Sequence, residues 1–217
     1  ILKIVNQQNT FFNSNATKDI NFRIETLKKL KHLLKENEDK LYTAIYSDFK
    51  KSEFETYLTE ISLIYNEIND SINNLKKWSK RKRVRTNLAN FPAKSFIIPE
   101  PLGTILVISA WNYPILIALT PVISAIAAGN TVVLKPSEIP NNTSKILSQL
   151  INPNFDVNHL TVIEGGVETT TELLKQKWDK IFFTGSTNVG KIIYKAAAEN
   201  LTPVTLELGG KSPTFIF

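Results

Sequence analysis

Apolar residues recur every three or four positions through the first eighty residues, the spacing of one face of an α-helix. One stripe comprises Ile20, Ile24, Leu27, Leu30 and Leu34, continued by Leu41, Ala44 and Ile45. A second stripe comprises Phe54, Leu58, Ile61, Tyr65, Ile68, Ile72 and Leu75. The residues Ser52-Glu53-Phe54-Glu55 have the form of a capping box at its start. We therefore expect residues 1–80 to be helical, with both stripes packed against a sheet.

From Pro101 onward, strand-like and helical runs alternate. Strands are expected near 103–109, 131–134, 160–163, 180–183 and 203–207, and helices near 114–128, 143–151, 168–176 and 188–199. Pro114 suits the first position of the first of these helices, and Gly129 suits the residue after its last turn. Such alternation is typical of βαβ units, so the predicted class is α/β with a doubly wound, mostly parallel sheet.

Residues 101–134 carry no charged side chain, and this length is sufficient to span a bilayer. However, Asn112, Pro114 and Pro121 fall inside the segment, and both of its ends are rich in β-branched residues. A strand, a buried helix and a second strand explain its apolarity better, because strands of a parallel sheet are covered on both faces. We expect no membrane span here.

A basic cluster runs from Lys76 to Arg85 and precedes a segment of different character. Such a cluster can bind nucleic acid or an acidic membrane surface. No nucleic-acid fold signature accompanies it, so we interpret it as a solvated helix end and expect no nucleic-acid partner. Pro92 and the strand-like Phe96-Ile97-Ile98 indicate that residues 84–100 form an irregular pair of strands.

Composition excludes further classes of protein. The chain has no cysteine, and its two histidines, His32 and His159, are far apart, so we expect neither a disulfide nor a metal site. Polar residues interrupt any apolar run at the N-terminus, which gives no sign of a signal peptide. A reducing, cytoplasmic location fits these features.

The most informative stretch is Phe183-Thr184-Gly185-Ser186-Thr187-Asn188-Val189-Gly190, in which a strand runs into a turn that opens a helix. Backbone N–H groups and the helix dipole make such a junction an anion site. Glu207 follows at the end of the next strand, where a carboxylate can act as a base beside a bound cofactor. The alternative is a structural carboxylate paired with Lys211. The combination indicates a dinucleotide-binding enzyme.

Asn112 lies at the carboxyl end of the first core strand, where ligands bind in open α/β sheets. Its amide can donate to an oxyanion, or it can be a turn residue that satisfies local backbone groups. Lys135 and Glu138 follow the second core strand, where the ribose of a dinucleotide lies in such folds. They can equally form a surface ion pair at a helix entrance.

Four blocks together resemble the aldehyde dehydrogenase superfamily: Trp111 to Pro114, Val133 to Glu138, Gly185 to Gly190 and Leu206 to Pro213. The short N-terminal region is more similar to the class 3 branch, which acts on fatty or aromatic aldehydes. The resemblance implies a Rossmann-like fold, and it implies that residues 84–100 form a protruding β-hairpin used in a homodimer. It also implies NAD(P)-dependent oxidation of a small-molecule aldehyde to a carboxylate.

The resemblance also assigns roles to individual residues. Asn112 stabilises an oxyanion, and Glu207 activates the water that hydrolyses a thioester. Lys135 and Glu138 bind the ribose hydroxyls; the charge of Glu138 favours NAD, although NADP is often accepted in class 3. The remaining cofactor contacts are Trp111, Leu208 and the pyrophosphate turn Gly185, Ser186, Thr187, Asn188, Val189 and Gly190.

The family's nucleophile is a cysteine downstream of the Glu-Leu-Gly-Gly block, and this sequence has none. We therefore expect a truncated chain, inactive by itself, with an NAD(P)-binding domain at 1–206 and the start of a catalytic domain at 207–217. Two alternatives remain open. One is a nucleotide-binding module without catalysis, and the other is an acylating or acyl-phosphate-reducing member of the superfamily.

Overall fold

The computed structural model describes residues 1–216. Helices make up the first third of the chain. They are α1 (Leu2–Asn13), α2 (Ile20–Glu36), α3 (Glu38–Phe49), α4 (Glu53–Thr56) and α5 (Ser62–Trp78). A 3-10 turn at Ala16–Lys18 follows α1, and a π-helical segment at Tyr57–Ile61 joins α4 to α5. The prediction that residues 1–80 are helical is confirmed.

Side-chain caps explain where two of these helices begin. The Asp19 carboxylate accepts a hydrogen bond from the Phe22 N–H at 2.7 Å and caps α2. The Ser52 hydroxyl accepts from the Glu55 N–H at 3.2 Å and caps α4, which confirms this half of the predicted capping box. After α3, Lys50 adopts the left-handed conformation with φ 58°, which ends the helix and turns the chain toward α4.

The second apolar stripe is buried only in part. Phe54 and Leu58 are exposed, and the buried positions begin at Ile61. The prediction of one continuous buried face was wrong because the π-helical segment holds an extra residue per turn and rotates the face that follows it. The helices that carry the stripes also pack on other helices as well as toward the sheet. Helix α5 packs on the helix that follows the first core strand, and α3 packs on the helix that follows the second core strand.

Residues 82–97 form a hairpin separate from the core. Its strands are β1 (Lys82–Val84) and β2 (Ser95–Ile97), which pair antiparallel with Lys82 opposite Ile97. Most of their side chains are exposed, so the hairpin protrudes from the protein as expected.

The remainder of the described chain alternates strands and helices. The elements in order are β3 (Thr104–Ile108), α6 (Leu116–Ala128), β4 (Thr131–Lys135), α7 (Asn141–Ile151), β5 (Leu160–Val162), α8 (Val167–Leu174), β6 (Lys180–Gly185), α9 (Thr187–Ala198) and β7 (Val204–Leu208). Each lies within two residues of its predicted bounds. Gly129 ends α6 with φ 92° as predicted, whereas Pro114 precedes the first helical residue instead of occupying it.

The sheet is wholly parallel, in the order β5-β4-β3-β6-β7. The chain first runs from β3 outward to β5 and then returns to the other side of β3, so the winding direction reverses between β3 and β6. Helices α6 and α7 cover one face together with α2, α3 and α5, and α8 and α9 cover the other face together with α1. The fold is therefore doubly wound and Rossmann-like, as predicted.

Candidate functional site

The predicted site residues lie along one edge of the sheet. Trp111 and Asn112 follow β3, Lys135 ends β4, Gly185 ends β6, and Glu207 lies on β7. Because all five strands are parallel, their carboxyl ends meet at this edge. In open α/β sheets ligands bind outside these ends, at the point where the winding direction reverses, which here lies between β3 and β6.

The turn from β3 to α6 carries Asn112 on its exposed side. Trp111 is half-exposed and stacks on Phe49, with ring centroids 6.4 Å apart and planes inclined by 22°. Pro114 and Ile115 anchor the other end of the turn in the core. The Asn112 amide therefore faces solvent from a turn fixed on both sides, and it is free to donate to an external oxygen.

A buried ion pair between Lys51 and Glu60 holds the end of this turn that leads into α6. The N–H groups of Ile115 and Leu116 donate to Glu60 Oε2 at 2.9 and 3.2 Å, and Lys51 Nζ lies 3.0 Å from Glu60 Oε1. The Glu60 side chain is completely buried. The sequence analysis predicted a role for neither Lys51 nor Glu60. The one feature that could have indicated Glu60 is its position four residues before Ile64, which places a carboxylate on a buried helix face.

The turn from β6 to α9 has the geometry of an anion site. Ser186 is the N-cap of α9: its Oγ accepts from the Val189 N–H at 3.3 Å, and its carbonyl accepts from the Gly190 N–H at 2.9 Å. The N–H groups of Thr187 and Asn188, both exposed, find no acceptor within the described part of the chain. These groups and the positive end of the helix dipole can therefore bind phosphate oxygens.

Gly190 allows α9 to approach β7 closely. A Cβ atom at this position would lie 2.9 Å from Leu208 Cδ2, which is closer than Cβ atoms normally come to other carbon atoms. A side chain at this position would therefore require the Leu208 methyl group, which lies between α9 and β7, to move.

Lys135 and Glu138 are in direct contact, with Nζ and Oε2 2.7 Å apart. The Lys135 side chain is buried, whereas that of Glu138 is about half-exposed. Partial burial raises the pKa of the Glu138 carboxyl, but the hydrogen bond and charge of Lys135 outweigh this effect and hold the pKa below its usual value. The carboxylate is thus ionised near neutral pH, with one side open to solvent, and can accept hydrogen bonds from hydroxyl groups.

Glu207 lies on β7 opposite Thr184 of β6, and Leu208 lies opposite Gly185. Glu207 is exposed and borders an open, largely apolar cleft of about 630 Å³ between α5, α6 and the two strands. Within residues 1–216 it forms no ion pair, so the alternative of a structural pair with Lys211 is not observed. Asn112 and Glu207 lie at the same edge, but β6 separates β3, which precedes Asn112, from β7, which carries Glu207.

Two other structural features are absent from the described residues. These residues contain no group of three or more His, Asp or Glu side chains arranged to hold a metal ion. Among the same residues, no helix combines the length and the apolarity that a membrane crossing requires.

Comparison with known proteins agrees with this arrangement. The model of the aldehyde dehydrogenase family matches residues 1–217. The chain is 50% identical over 206 residues to the 4,4'-diaponeurosporen-aldehyde dehydrogenase of Staphylococcus aureus, covering 95% of this chain and 45% of that protein. It is 47% identical over 205 residues to aldehyde dehydrogenase family 3 member A2 of Pongo abelii, covering 94% and 42%. The chain thus spans less than half the length of these relatives.

Solved structures match equally well. The substrate-bound state of Staphylococcus aureus AldH superposes with a TM-score of 0.95 at 49% identity, covering 97% of this chain and 46% of that one. The NAD+ complex of an aldehyde dehydrogenase from Bacillus cereus superposes with a TM-score of 0.87 at 26% identity, covering 99% and 44%. The sequence blocks, the sheet order and these matches agree: the chain belongs to the aldehyde dehydrogenase family.

Proposed function

We propose that the whole protein oxidises an aldehyde to a carboxylic acid with a nicotinamide dinucleotide, and that this chain supplies its cofactor-binding domain. One observation carries the proposal. Asn112 follows β3 and Glu207 lies on β7, so both are at the same edge of the sheet, on either side of β6 and the anion-binding turn at its end. This edge thus combines an amide that can stabilise an oxyanion, a carboxylate that can activate water for hydrolysis of an acyl group, and a site for the phosphates of a cofactor.

The amide of Asn112 donates to the aldehyde oxygen as negative charge develops on it. Its position at the exposed side of a turn held by Trp111 and Ile115 supports this role, because a preorganised donor needs little rearrangement during the reaction. Glu207 accepts a proton from the water that releases the acid. Its exposed position and its lack of an ion pair within residues 1–216 support a base that is free to accept this proton.

The residues at the edge fit a dinucleotide. The pyrophosphate binds to the turn Gly185–Gly190, where the N–H groups of Thr187 and Asn188 point outward. Glu138, oriented by Lys135, accepts hydrogen bonds from the adenosine ribose. Trp111 also contacts the cofactor, and Leu208 contributes backbone contacts near the nicotinamide. The charge of Glu138 opposes a 2′-phosphate, so NAD is the preferred cofactor and NADP the less favoured one. When bound, the cofactor accepts the hydride of the aldehyde.

The thiol nucleophile lies outside these 217 residues, which contain no cysteine. Residues 1–206 form the NAD(P)-binding domain in this proposal, and residues 207–217 lead into a catalytic domain that carries the thiol. The exposed hairpin of β1 and β2 supports a homodimer in which the hairpin contacts a second copy. We place the protein in the cytoplasm, with an aldehyde as its small-molecule partner.

The experiment compares NADH formation by the whole protein and by the 217-residue chain, with benzaldehyde and hexanal as substrates. The whole protein should form NADH with both NAD and the aldehyde present. The chain alone should form none, since it has no thiol to add to the carbonyl group. NADH formation by the chain alone would overturn the thiol mechanism, and an inactive but folded whole protein that still binds NAD would favour a nucleotide-binding module.

A further inference from the structure

The ion pair Lys51–Glu60 is unusual in its burial. The Lys51 side chain is 10% exposed and that of Glu60 is 0% exposed, with 3.0 Å between Nζ and Oε1. Removing two charges from water is expensive, and a well-packed apolar pair of similar size is often at least as stable. A buried ion pair is therefore weak evidence for a contribution to stability, and its contacts point to another role.

Local backbone geometry brings the two residues together. Glu60 lies in the π-helical segment Tyr57–Ile61, which turns its side chain toward α6, whereas Leu58 is exposed. Lys51 follows Lys50, whose left-handed conformation ends α3. Both residues thus stand at irregular points of the backbone, and single π-helical turns inside helices are frequent at functional sites.

The pair holds the turn of Asn112 from its C-terminal side. Glu60 Oε2 accepts from the Ile115 and Leu116 N–H groups, so its charge sits at the N-terminus of α6, where the helix dipole stabilises a carboxylate. Lys51 Nζ pairs with the other carboxylate oxygen of Glu60 and lies 4.6 Å from the centroid of the Tyr113 ring. The residue directly after Asn112 is therefore also in contact with the pair.

The N-terminal side of the same turn is held by the segment that carries Lys51. Phe49, two residues before Lys51, stacks on Trp111. The residues on both sides of Asn112 are thus attached to the segment 49–51, while Asn112 itself remains exposed.

We propose that Lys51 and Glu60 are positioning residues for Asn112: they fix the turn from β3 to α6 so that the amide points at the reacting oxygen. This inference rests on the proposed function. Without Lys51, Glu60 loses the contact that orients its carboxylate, and the turn can shift. A displacement of about 1 Å in a catalytic group can slow a reaction by up to about 100-fold.

The test is a double-mutant cycle in the whole enzyme with Lys51→Met and Asn112→Ala. The measured quantities are the single-turnover rate of NADH formation at saturating aldehyde and NAD, and the dissociation constant of NAD. Lys51→Met should slow the single turnover by about 10- to 100-fold with NAD affinity unchanged. In the Asn112→Ala background it should cause no further loss, and Lys51→Arg should restore most of the rate.

Lys175→Met is the matched control, because it removes the cation of an exposed i,i+3 pair with Glu172 and should leave the rate unchanged. An equal loss from Lys51→Met with and without Asn112 would overturn the inference while leaving the proposed function intact. If Asn112→Ala itself leaves the rate unchanged, the proposed role of Asn112 fails and the inference fails with it.

Should Lys51→Met be recovered unfolded, the double variant Lys51→Met/Glu60→Gln takes its place, because it leaves no unpaired buried charge. A slowed single turnover that disappears in the Asn112→Ala background supports positioning. An unchanged rate in the folded double variant overturns it.

Discussion

Acid should destabilise this fold through one histidine. His159 is 4% exposed and precedes β5, where its ring lies 5.9 Å from the Phe11 ring and 5.0 Å from the Phe22 ring. Burial lowers its pKa from 6.5 to about 4, although the Asn130 backbone and the charge of Asp156 act in the opposite direction. The imidazole is therefore neutral in the folded protein at pH values where the unfolded chain already binds a proton.

The sign and size of the effect follow from these values. The folded pKa of His159 is lower than the unfolded one, so protonation favours unfolding, and stability falls as the pH decreases from about 6.5 to about 4. Each pKa unit corresponds to about 1.4 kcal/mol, which gives a total of about 3 kcal/mol from this group. Below about pH 4 both states are protonated at this position, and the group causes no further loss.

The assay is urea unfolding at several pH values between 7.5 and 4 for the wild type and for His159→Gln, which cannot titrate. Subtracting one curve from the other cancels the carboxylates common to both. The difference should change by about 3 kcal/mol over this window. His32→Gln is the matched control for a histidine-to-glutamine substitution at an exposed position of α2. A difference curve for His159→Gln that is flat would refute the interpretation of a neutral buried ring.

Three further substitutions test other parts of the structure. Glu138→Gln in the whole enzyme should move the ratio of kcat/KM for NAD over NADP toward NADP by about tenfold at low salt; an unmoved ratio means that Glu138 does not face the ribose. Replacing glycine by alanine inside a helix normally raises the free energy of unfolding by about 1 kcal/mol, but Gly190→Ala should give less, because the new Cβ meets the Leu208 side chain. Urea unfolding that shows the full increase would contradict this packing. Asp48→Asn should cost about 1 kcal/mol, because Asp48 accepts from the Thr143 N–H at 2.8 Å at the start of α7; an unchanged unfolding midpoint would contradict that capping role.

The sheet was predictable because its signals are local. Strands covered on both faces appear as short apolar runs, and residues such as Gly129 mark the ends of the helices between them. The turn from Gly185 to Gly190 was likewise recognisable from adjacent residues. Parallel strands then bring the residues that follow them to one edge, so the placement of Asn112 and Glu207 there followed from the fold class.

The support beneath Asn112 was not predictable, since it depends on contacts between distant residues. Glu60 meets the N–H groups of Ile115 and Leu116, which lie more than fifty positions later in the sequence. The π-helical segment that directs Glu60 inward has no periodic signal of its own, and it also explains why Phe54 is exposed against expectation.

The most direct test of the central claim is the pre-steady-state formation of NADH by Glu207→Gln in the whole enzyme. If Glu207 activates the water that releases the acid, the variant should keep a rapid burst of NADH and then turn over slowly, because hydrolysis is impaired more than the preceding oxidation. An equal fall in the burst and the steady rate would assign Glu207 to thiol activation or cofactor placement. Unchanged turnover would contradict the account by removing Glu207 from the site.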